Sequence, residues 1–301
     1  MINLSEKERI TFYKQISSNK RRSVFLVLIV ALVLIGLVYI IGLAIGGDIF
    51  FISVFAIVFS LTYILISYHN SAKIALWSVG AKPADPYHYK QYHDLVEGLC
   101  LASGMPKPKL YIMESEQINA FASGKNPKDS VICVTTGALK KLDKRELEGV
   151  LAHELSHIAN YDIRFMTLTA VLVGLVSIIA EVFLRSLFWG RLIGGRNRNN
   201  RGNPALVLIA IILAVLSPII VSLVQLAISR KREYMADATA VKFIRSPTGL
   251  IGALKKIKND GQEMRVPKAV APLFLAKPFK TAEIFSTHPP LEKRIEILER
   301  M

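Results

Sequence analysis

Two long apolar runs near the start of the chain constrain its fold more than any other feature. Residues 24–47 and 49–68 contain no charged side chain, and each run reaches the roughly 20 residues that a helix needs to cross a bilayer. A signal peptide is the competing interpretation of the first run, but the apolar region of a signal peptide is only about 7–15 residues long. The two runs therefore predict a transmembrane helical hairpin over residues 24–68 that turns at Asp48.

The basic residues around this hairpin predict its orientation. Residues 1–23 contain six Lys and Arg residues, whereas the turn between the two runs contains none. Lys and Arg are enriched in the cytoplasmic loops of membrane proteins. We therefore expect a basic cytoplasmic N-terminus over residues 1–23, and we expect the chain that follows residue 68 to be cytoplasmic as well.

The overall composition excludes several other classes of protein. The chain has 38 Lys and Arg against 23 Asp and Glu, a formal charge of +15, but it lacks the aromatic-interleaved basic helix or zinc knuckle typical of nucleic-acid binding. We assign the basic surplus to contact with anionic lipid headgroups and expect no nucleic-acid partner. Cys100 and Cys133 are too far apart in the sequence for a CxxC motif, so we interpret them as reduced core thiols.

A second apolar region, residues 165–228, has a topology that the sequence leaves open. Apolar runs at 165–180 and 205–228 flank an Arg-rich loop, residues 185–204, that contains five Arg and no acid. If both runs span, this loop lies outside the cell, against the positive-inside trend. If neither spans fully, the region is a re-entrant or buried hairpin. Both alternatives place residues 69–164 and 229–301 on the same, cytoplasmic side.

The parts of the chain between and after these runs predict a mostly helical α+β fold. We expect a helix over 69–104, short strands at 110–113, 119–124 and 130–135, and a further helix that runs to about residue 157. Asp143 and Glu146 have the spacing of a capping box, which predicts that this last helix begins at residue 144. A small β-sheet is therefore expected beside this helix.

The same helix carries a metal-binding pattern, His153-Glu154-Leu155-Ser156-His157. Residues i and i+4 project from one face of a helix, so the two imidazoles can bind one metal ion. Glu154 lies about 100° around the helix axis, where it can contact a water on the metal. Chance occurrence is the alternative, but burying these polar groups on an apolar helix without partners is costly. The pattern therefore predicts a zinc protease, with Glu154 as the base.

A third ligand is needed because catalytic zinc takes three protein ligands and leaves one position open. After the last apolar run, Glu233 and Asp237 are four residues apart and share one helix face. One carboxylate can bind the metal while the other accepts the free N–H of a ligand histidine. A solvent-exposed charged face is the alternative interpretation of this pair. Asn160 and Asp162, which follow the second histidine, are expected to cap the helix end or to order its exit towards the membrane rather than take part in chemistry.

Three separated motifs resemble the HtpX family of membrane-embedded zinc metalloproteases. They are residues 153–160 (HELSHIAN), residues 229–237 (SRKREYMAD) and residues 286–290 (STHPP). The chain is more distantly similar to the CAAX prenyl endopeptidases. The resemblance implies a gluzincin-type fold with four hydrophobic helices and one Zn²⁺ per subunit. It implies that His153, His157 and Glu233 are the ligands and that Glu154 is the catalytic base. Asp237 is then the carboxylate that accepts a hydrogen bond from a ligand histidine.

Two further assignments concern a predicted strand and a histidine near the last helix. Asn119, Ala120, Phe121 and Ala122 look like the edge strand of the family's active site, which could bind a substrate peptide by strand addition. An ordinary core strand that buries Phe121 is equally consistent with the composition. His288 is interpreted either as a donor to the oxyanion of the reaction or as a cap for the final helix, which is expected to begin at residue 291.

The function expected from the sequence is a zinc-dependent metalloendopeptidase in the plasma membrane of a bacterium, with a cytoplasmic active site. The resemblance implies that it degrades misfolded or damaged membrane proteins during quality control or stress. One alternative is a site-specific processing peptidase of the CAAX type. The other is a non-catalytic membrane scaffold with a structural zinc, although such a site needs no general base. The sequence predicts no oligomeric state.

Overall fold

The computed structural model describes residues 12–44, 48–193, 205, 207–216, 230–267, 270–278 and 289–301. The described part is mostly helical and contains one small sheet. The helices are α1 (Phe12–Ala44), α2 (Ile49–Ser78), α3 (Lys90–Ser103), α4 (Thr136–Lys141), α5 (Lys144–Ala159), α6 (Asp162–Ile193), α7 (Val207–Leu216), α8 (Arg230–Ile244), α9 (Thr248–Asp260) and α10 (Leu291–Leu298). The strands are β1 (Lys82–Pro83), β2 (Lys109–Met113), β3 (Ala120–Asn126) and β4 (Asp129–Thr135).

The two N-terminal apolar runs form the predicted pair of helices. Asp48 caps α2, because its carboxylate accepts hydrogen bonds from the first backbone N–H groups of that helix. Within the described residues, α2 is the one helix that is long and apolar enough to cross a membrane, and Leu28–Leu43 and Val207–Leu216 are shorter apolar helices. Helices α1, α2 and α6 pack together around Leu34, Ile64 and Phe165.

The single helix predicted over residues 69–104 is wrong, because the structure divides this stretch. Helix α2 continues to Ser78 and ends there because Gly80 adopts a left-handed conformation, with φ of 65°. The two residues of β1 then pair with β2, and α3 begins only at Lys90. A strand as short as β1 has no periodicity in the sequence that could reveal it.

The four strands form a mixed sheet in the order β1-β2-β4-β3. Strand β2 is parallel to β4, whereas β3 and β4 form an antiparallel hairpin. The three strands predicted from the sequence are confirmed, with bounds shifted by one or two residues. Strand β3 lies at the end of the sheet, so one of its edges faces away from β4. Strand β3 also contacts α5 and α6.

Helix α5 is the centre of the larger core. The predicted capping box of Asp143 and Glu146 is confirmed, with both of its reciprocal hydrogen bonds present. The apolar face of α5 includes Leu151, Leu155 and Ile158, which are fully or almost fully buried among the sheet, α3 and α9. The sheet and α9 therefore hold the helix that carries the HExxH motif.

The structure extends the third apolar run beyond its predicted end. Helix α6 begins at Asp162 and continues to Ile193, so the first residues of the expected Arg-rich loop are helical. Arg185 and Glu181 form an i,i+4 ion pair on this helix, which favours its continuation. Residues 194–204 and most of the fourth run lie outside the described residues. Helix α7 packs against α1 and α6 through Ala210 and Ala214.

Helices α5 and α9 approach each other closely at Gly149 and Gly249. A Cβ atom at Gly149 would lie 2.5 Å from the backbone nitrogen of Leu250, and one at Gly249 would collide with the carbonyl oxygen of Arg145. We expect Gly149→Ala to lower the free energy of unfolding by about 1–3 kcal/mol, because backbone atoms cannot move aside as a flexible side chain can. Thermal unfolding in detergent measures the change.

Gly98→Ala is the matched control for this substitution. Gly98 is exposed within α3, and a Cβ there meets no heavy atom within 4 Å. We expect this alanine to stabilise the protein by about 0.5–1 kcal/mol, because alanine has the higher helix propensity. Equal stability of the two variants would contradict the close packing of α5 against α9.

Candidate metal centre

The two histidines of the HExxH motif lie on one face of α5, as their spacing predicts. His153 and His157 are 0% and 4% exposed, and their Nε2 atoms are 3.1 Å apart. Their rings meet edge to face with an interplanar angle of 90°. Two ring nitrogens at this distance can bind the same metal ion.

Helix α8 brings Glu233 to the two imidazoles. Its carboxylate oxygens lie 3.6 Å from Nε2 of His153 and 3.5 Å from Nε2 of His157. A tetrahedral Zn²⁺ with bonds of about 2.0–2.1 Å holds its ligand atoms about 3.3 Å apart. The three ligand atoms lie within 4.8 Å of one another in a buried cluster, so the donor set and its dimensions fit a zinc ion.

A carboxylate contacts the other ring nitrogen of each histidine. Asp237 lies 2.9 Å from Nδ1 of His153, as the sequence predicted, and Asp162 lies 3.2 Å from Nδ1 of His157. Because a carboxylate only accepts hydrogen bonds, each Nδ1 carries a proton, and each Nε2 would be the atom that binds the metal. Asn160 is the C-cap of α5, whereas Asp162 begins α6. Asp162 also contacts His157, which the sequence did not predict.

Arg294 is a member of this cluster that sequence reasoning missed. It lies on α10 with no exposed surface, and it donates to both oxygens of Asp237 at 2.7 and 2.9 Å. Its guanidinium also lies 3.5 Å from the Glu233 carboxylate. The sequence around it alternates charged and apolar residues as a surface helix does, so no signal marks it. In the fold, Arg294 supplies a positive charge next to three buried acids, Glu154 included.

The pKa values of the buried groups follow from these contacts. Burial raises the pKa of Glu154 above its usual value, although the neighbouring histidines oppose this. Burial and Arg294 lower the pKa of His153, but its hydrogen bonds to Asp237 and Glu233 outweigh both and raise it to about 9. Burial opposes the ionisation of Asp237, but Arg294 and His153 hold the pKa of that carboxyl below its usual value. The raised pKa makes the ionised Glu154 carboxylate a stronger base than an ordinary glutamate.

The predicted edge strand lies directly beside Glu154. Asn119 immediately precedes β3, and Ala120, Phe121 and Ala122 are its first residues. The backbone of Ala122 hydrogen-bonds to the carboxylate of Glu154. All four residues are at most 3% exposed, so the core-strand interpretation agrees with their burial. His288 lies outside the described residues.

An HExxH helix, a glutamate from a later helix and a buried carboxylate beside the two histidines are together typical of a zinc-dependent metallopeptidase. Comparison with known proteins identifies the family of metallopeptidases. Residues 86–301 match the peptidase family M48, and the chain belongs to this family. It is a hydrolase of peptide bonds.

Similar proteins match this chain over almost its full length. The protease HtpX homologue of Caldanaerobacter subterraneus is 44% identical over 296 residues, which cover 97% of this chain and 98% of that protein. The homologue of Listeria monocytogenes is 38% identical over 304 residues, covering 96% of this chain and 99% of that protein. Among solved structures, S. mikatae Ste24p matches with a TM-score of 0.45 and 19% identity, covering 95% of this chain and 66% of that one.

The contact between Asp162 and His157 generates a testable prediction. Asp162→Asn is expected to weaken Zn²⁺ binding by about 10- to 100-fold, because an amide does not orient the imidazole or increase its basicity as a carboxylate does. A chelator competition titration measures this affinity independently of activity.

Asp260→Asn is a control for the loss of a buried carboxylate. Asp260 forms an ion pair with Lys141 and accepts a hydrogen bond from the backbone N–H of Ile118. Neither contact involves the two histidines. We expect this variant to bind Zn²⁺ with wild-type affinity. Unchanged affinity in Asp162→Asn would show that Asp162 does not position the ligand.

Proposed function

We propose that this protein is a membrane-anchored zinc metalloendopeptidase in which His153, His157 and Glu233 hold one Zn²⁺ per subunit. The observation that supports this proposal best is the convergence of these three side chains, from two helices about 80 residues apart in the chain, at ligand distances. When bound, Zn²⁺ supplies a Lewis acid that polarises the scissile carbonyl and lowers the pKa of water.

Glu154 is the general base and then the general acid of the proposed reaction. It takes a proton from the attacking water and delivers it to the amine that leaves, so one carboxylate serves both halves of the hydrolysis. Its burial supports this role, because burial raises the pKa of this carboxyl and so makes the ionised carboxylate a stronger base. His288 is proposed as a donor to the developing oxyanion.

The charged neighbours of these residues hold them in place. Asp162 and Asp237 fix the tautomer and the ring orientation of the two histidines. Arg294 bridges Asp237 and Glu233, so α8 and α10 are held together next to α5. Such support keeps ligand geometry constant while a substrate binds, which catalysis at a metal requires.

Four hydrophobic helices are proposed to anchor this site to the membrane. The domain organisation is a basic N-terminus over 1–23, a hairpin over 24–68, protease parts over 69–164 and 229–301, and a second hairpin over 165–228. Large apolar side chains on α2 support this arrangement, since Phe51, Phe55 and Leu65 are each at least 60% exposed in the isolated chain. A patch of this kind is typical of a membrane contact.

The substrates proposed for this enzyme are misfolded or damaged membrane proteins in a bacterial plasma membrane. Helix α6 begins at Asp162, which contacts His157, so an apolar helix starts within one turn of the proposed metal ligands. A peptide bond reaches such a site most readily when it lies close to the bilayer surface. This placement supports a role in quality control under stress.

The role of Glu154 is tested by Glu154→Gln in detergent-purified protein. We expect the variant to retain Zn²⁺ but to cleave an unfolded casein substrate at least about 100-fold more slowly, because general acid–base catalysis contributes about 10²–10⁴-fold. The measurement follows cleavage after chelator treatment and the return of zinc.

Glu148→Gln is the matched control on the same helix. Glu148 is partly exposed and about one and two-thirds turns from Glu154, so its variant should cleave at the wild-type rate. Zinc binding without zinc-dependent cleavage in the wild type would favour a structural zinc or a narrow processing enzyme.

The proposed orientation is tested by the accessibility of single introduced cysteines. Asp48 lies exposed in the hairpin turn, and Leu101 is 81% exposed on α3. A membrane-impermeant maleimide is expected to label Asp48→Cys in cells without an outer-membrane barrier. It should label Leu101→Cys only after the membrane is opened. The reverse labelling pattern would place the protease on the other side of the membrane.

A further inference from the structure

The edge of β3 that does not pair with β4 is occupied by another segment of the same chain. Residues 270–278, here called the strap, contain a short 3-10 turn (Ala271–Leu273), an extended residue at Phe274 and a bent stretch after it. Phe274 lies opposite Phe121 as an antiparallel bridge. At this bridge the strap lies where a neighbouring strand would pair with β3.

The strap is bound mainly through its backbone. The N–H of Leu275 donates to the carbonyl of Ala120 at 2.9 Å. The side chain of Asn119 donates to the carbonyl of Ala276 at 2.9 Å and accepts from the N–H of the same residue at 3.0 Å. Backbone groups of this kind are common to every peptide, so the edge of β3 recognises a strand with little dependence on its sequence.

Apolar and polar contacts hold the strap at both ends. The rings of Phe274 and Phe121 meet edge to face, with centroids 4.9 Å apart. At the other end, the amide nitrogen of Gln117 lies within hydrogen-bond distance of the carbonyls of Lys277 and Pro278. Residues 273–276 of the strap are at most 6% exposed. The strap is thus packed as part of the structure and closes the edge to other chains.

The strap also coincides with a closed active site. Glu154 is 1% exposed and His153 is not exposed, so a polypeptide in solution does not reach them in this conformation. The edge that the strap occupies begins at Asn119 and leads to Ala122, whose backbone contacts Glu154. A substrate peptide that pairs with β3 needs the Ala120 carbonyl, which the strap already uses.

We propose that residues 270–278 are an internal pseudosubstrate that occupies the peptide-binding edge of β3 and must leave it before a substrate strand binds. This inference rests on the proposed peptidase function and adds a latent state to it. The apparent affinity for a substrate is then reduced by the fraction of molecules in which the strap is released. Variants that weaken the strap are activated, and a strap that cannot leave is inhibitory.

A reversible cross-link between the strap and β3 tests this directly. Phe121→Cys and Phe274→Cys are combined, because the two residues lie opposite each other. Cys133 is replaced by Ala in the same protein, since it is the β4 partner of Phe121 and would compete for the disulfide. The single Phe121→Cys protein in the same background is the matched control for oxidation.

We expect the oxidised protein to retain Zn²⁺ and to lose at least about 90% of the casein cleavage seen after reduction of the same sample, since the occupied edge excludes a second strand. The control should cleave equally with and without reductant. Equal cleavage by the oxidised and reduced double variant would overturn the proposal while leaving the peptidase function intact, since cleavage itself would have been observed.

Phe274→Ala provides a second test in a chain whose edge strand is unchanged. The loss of its ring contact is expected to raise kcat/KM for an unfolded peptide by about fivefold or more and to increase hydrogen exchange at residues 273–278. Ile112→Ala, which removes a buried side chain from β2, is the control for general destabilisation and should produce neither change.

A decrease or no change in kcat/KM for Phe274→Ala, at unchanged zinc content, would contradict the strap as an inhibitor. If the wild type cleaves no substrate, the proposed function fails by itself. The strap is then judged by fluorescence anisotropy with a labelled unfolded peptide. Tighter binding to Phe274→Ala than to the wild type supports the proposal, and equal binding overturns it.

Discussion

The arrangement of this protein depends on a cluster of charged and polar side chains that is closed off from water. A buried ion without a partner costs several kcal/mol, so each of these groups must meet a partner of the right kind in the folded chain. On α5, His153 contacts Asp237 of α8, and His157 contacts Asp162 at the start of α6. Arg294 on α10 donates to Asp237. Four helices are therefore held in one relative position by the same contacts that prepare the metal ligands.

Around this cluster, small residues and apolar surfaces decide how closely the elements pack. The glycines of α5 and α9 let the two backbones meet, which places the metal helix firmly against the core. On the other side, Ala75 and Leu76 of α2 pack with Phe121 and Phe274. An apolar helix of the N-terminal hairpin thus contacts both the edge strand and the strap. A change in that helix can therefore reach the edge of β3 through this apolar cluster.

The parts of the fold that the sequence predicted are those determined by local rules. The hairpin, the capping box, three strands and the i,i+4 histidines each depend on residues within a few positions of one another. The helix predicted over 69–104 failed because a left-handed Gly80 and a two-residue strand interrupt it. The role of Asp162 was missed because its acceptor function depends on how the chain turns after Tyr161, which has a positive φ of 59°.

The sequence by itself determined the class of chemistry, since two histidines one turn apart with an intervening glutamate have few uses other than binding a metal and activating water. It also determined the apolar runs and the strands, because side-chain periodicity is a local property. Only the tertiary structure decided that Arg294 forms an ion pair with Asp237 and that residues 270–278 lie along the edge of β3. Both contacts join residues that are far apart in the chain. Their hydrogen bonds are strengthened by the low dielectric of the interior, which forms only when several segments pack together.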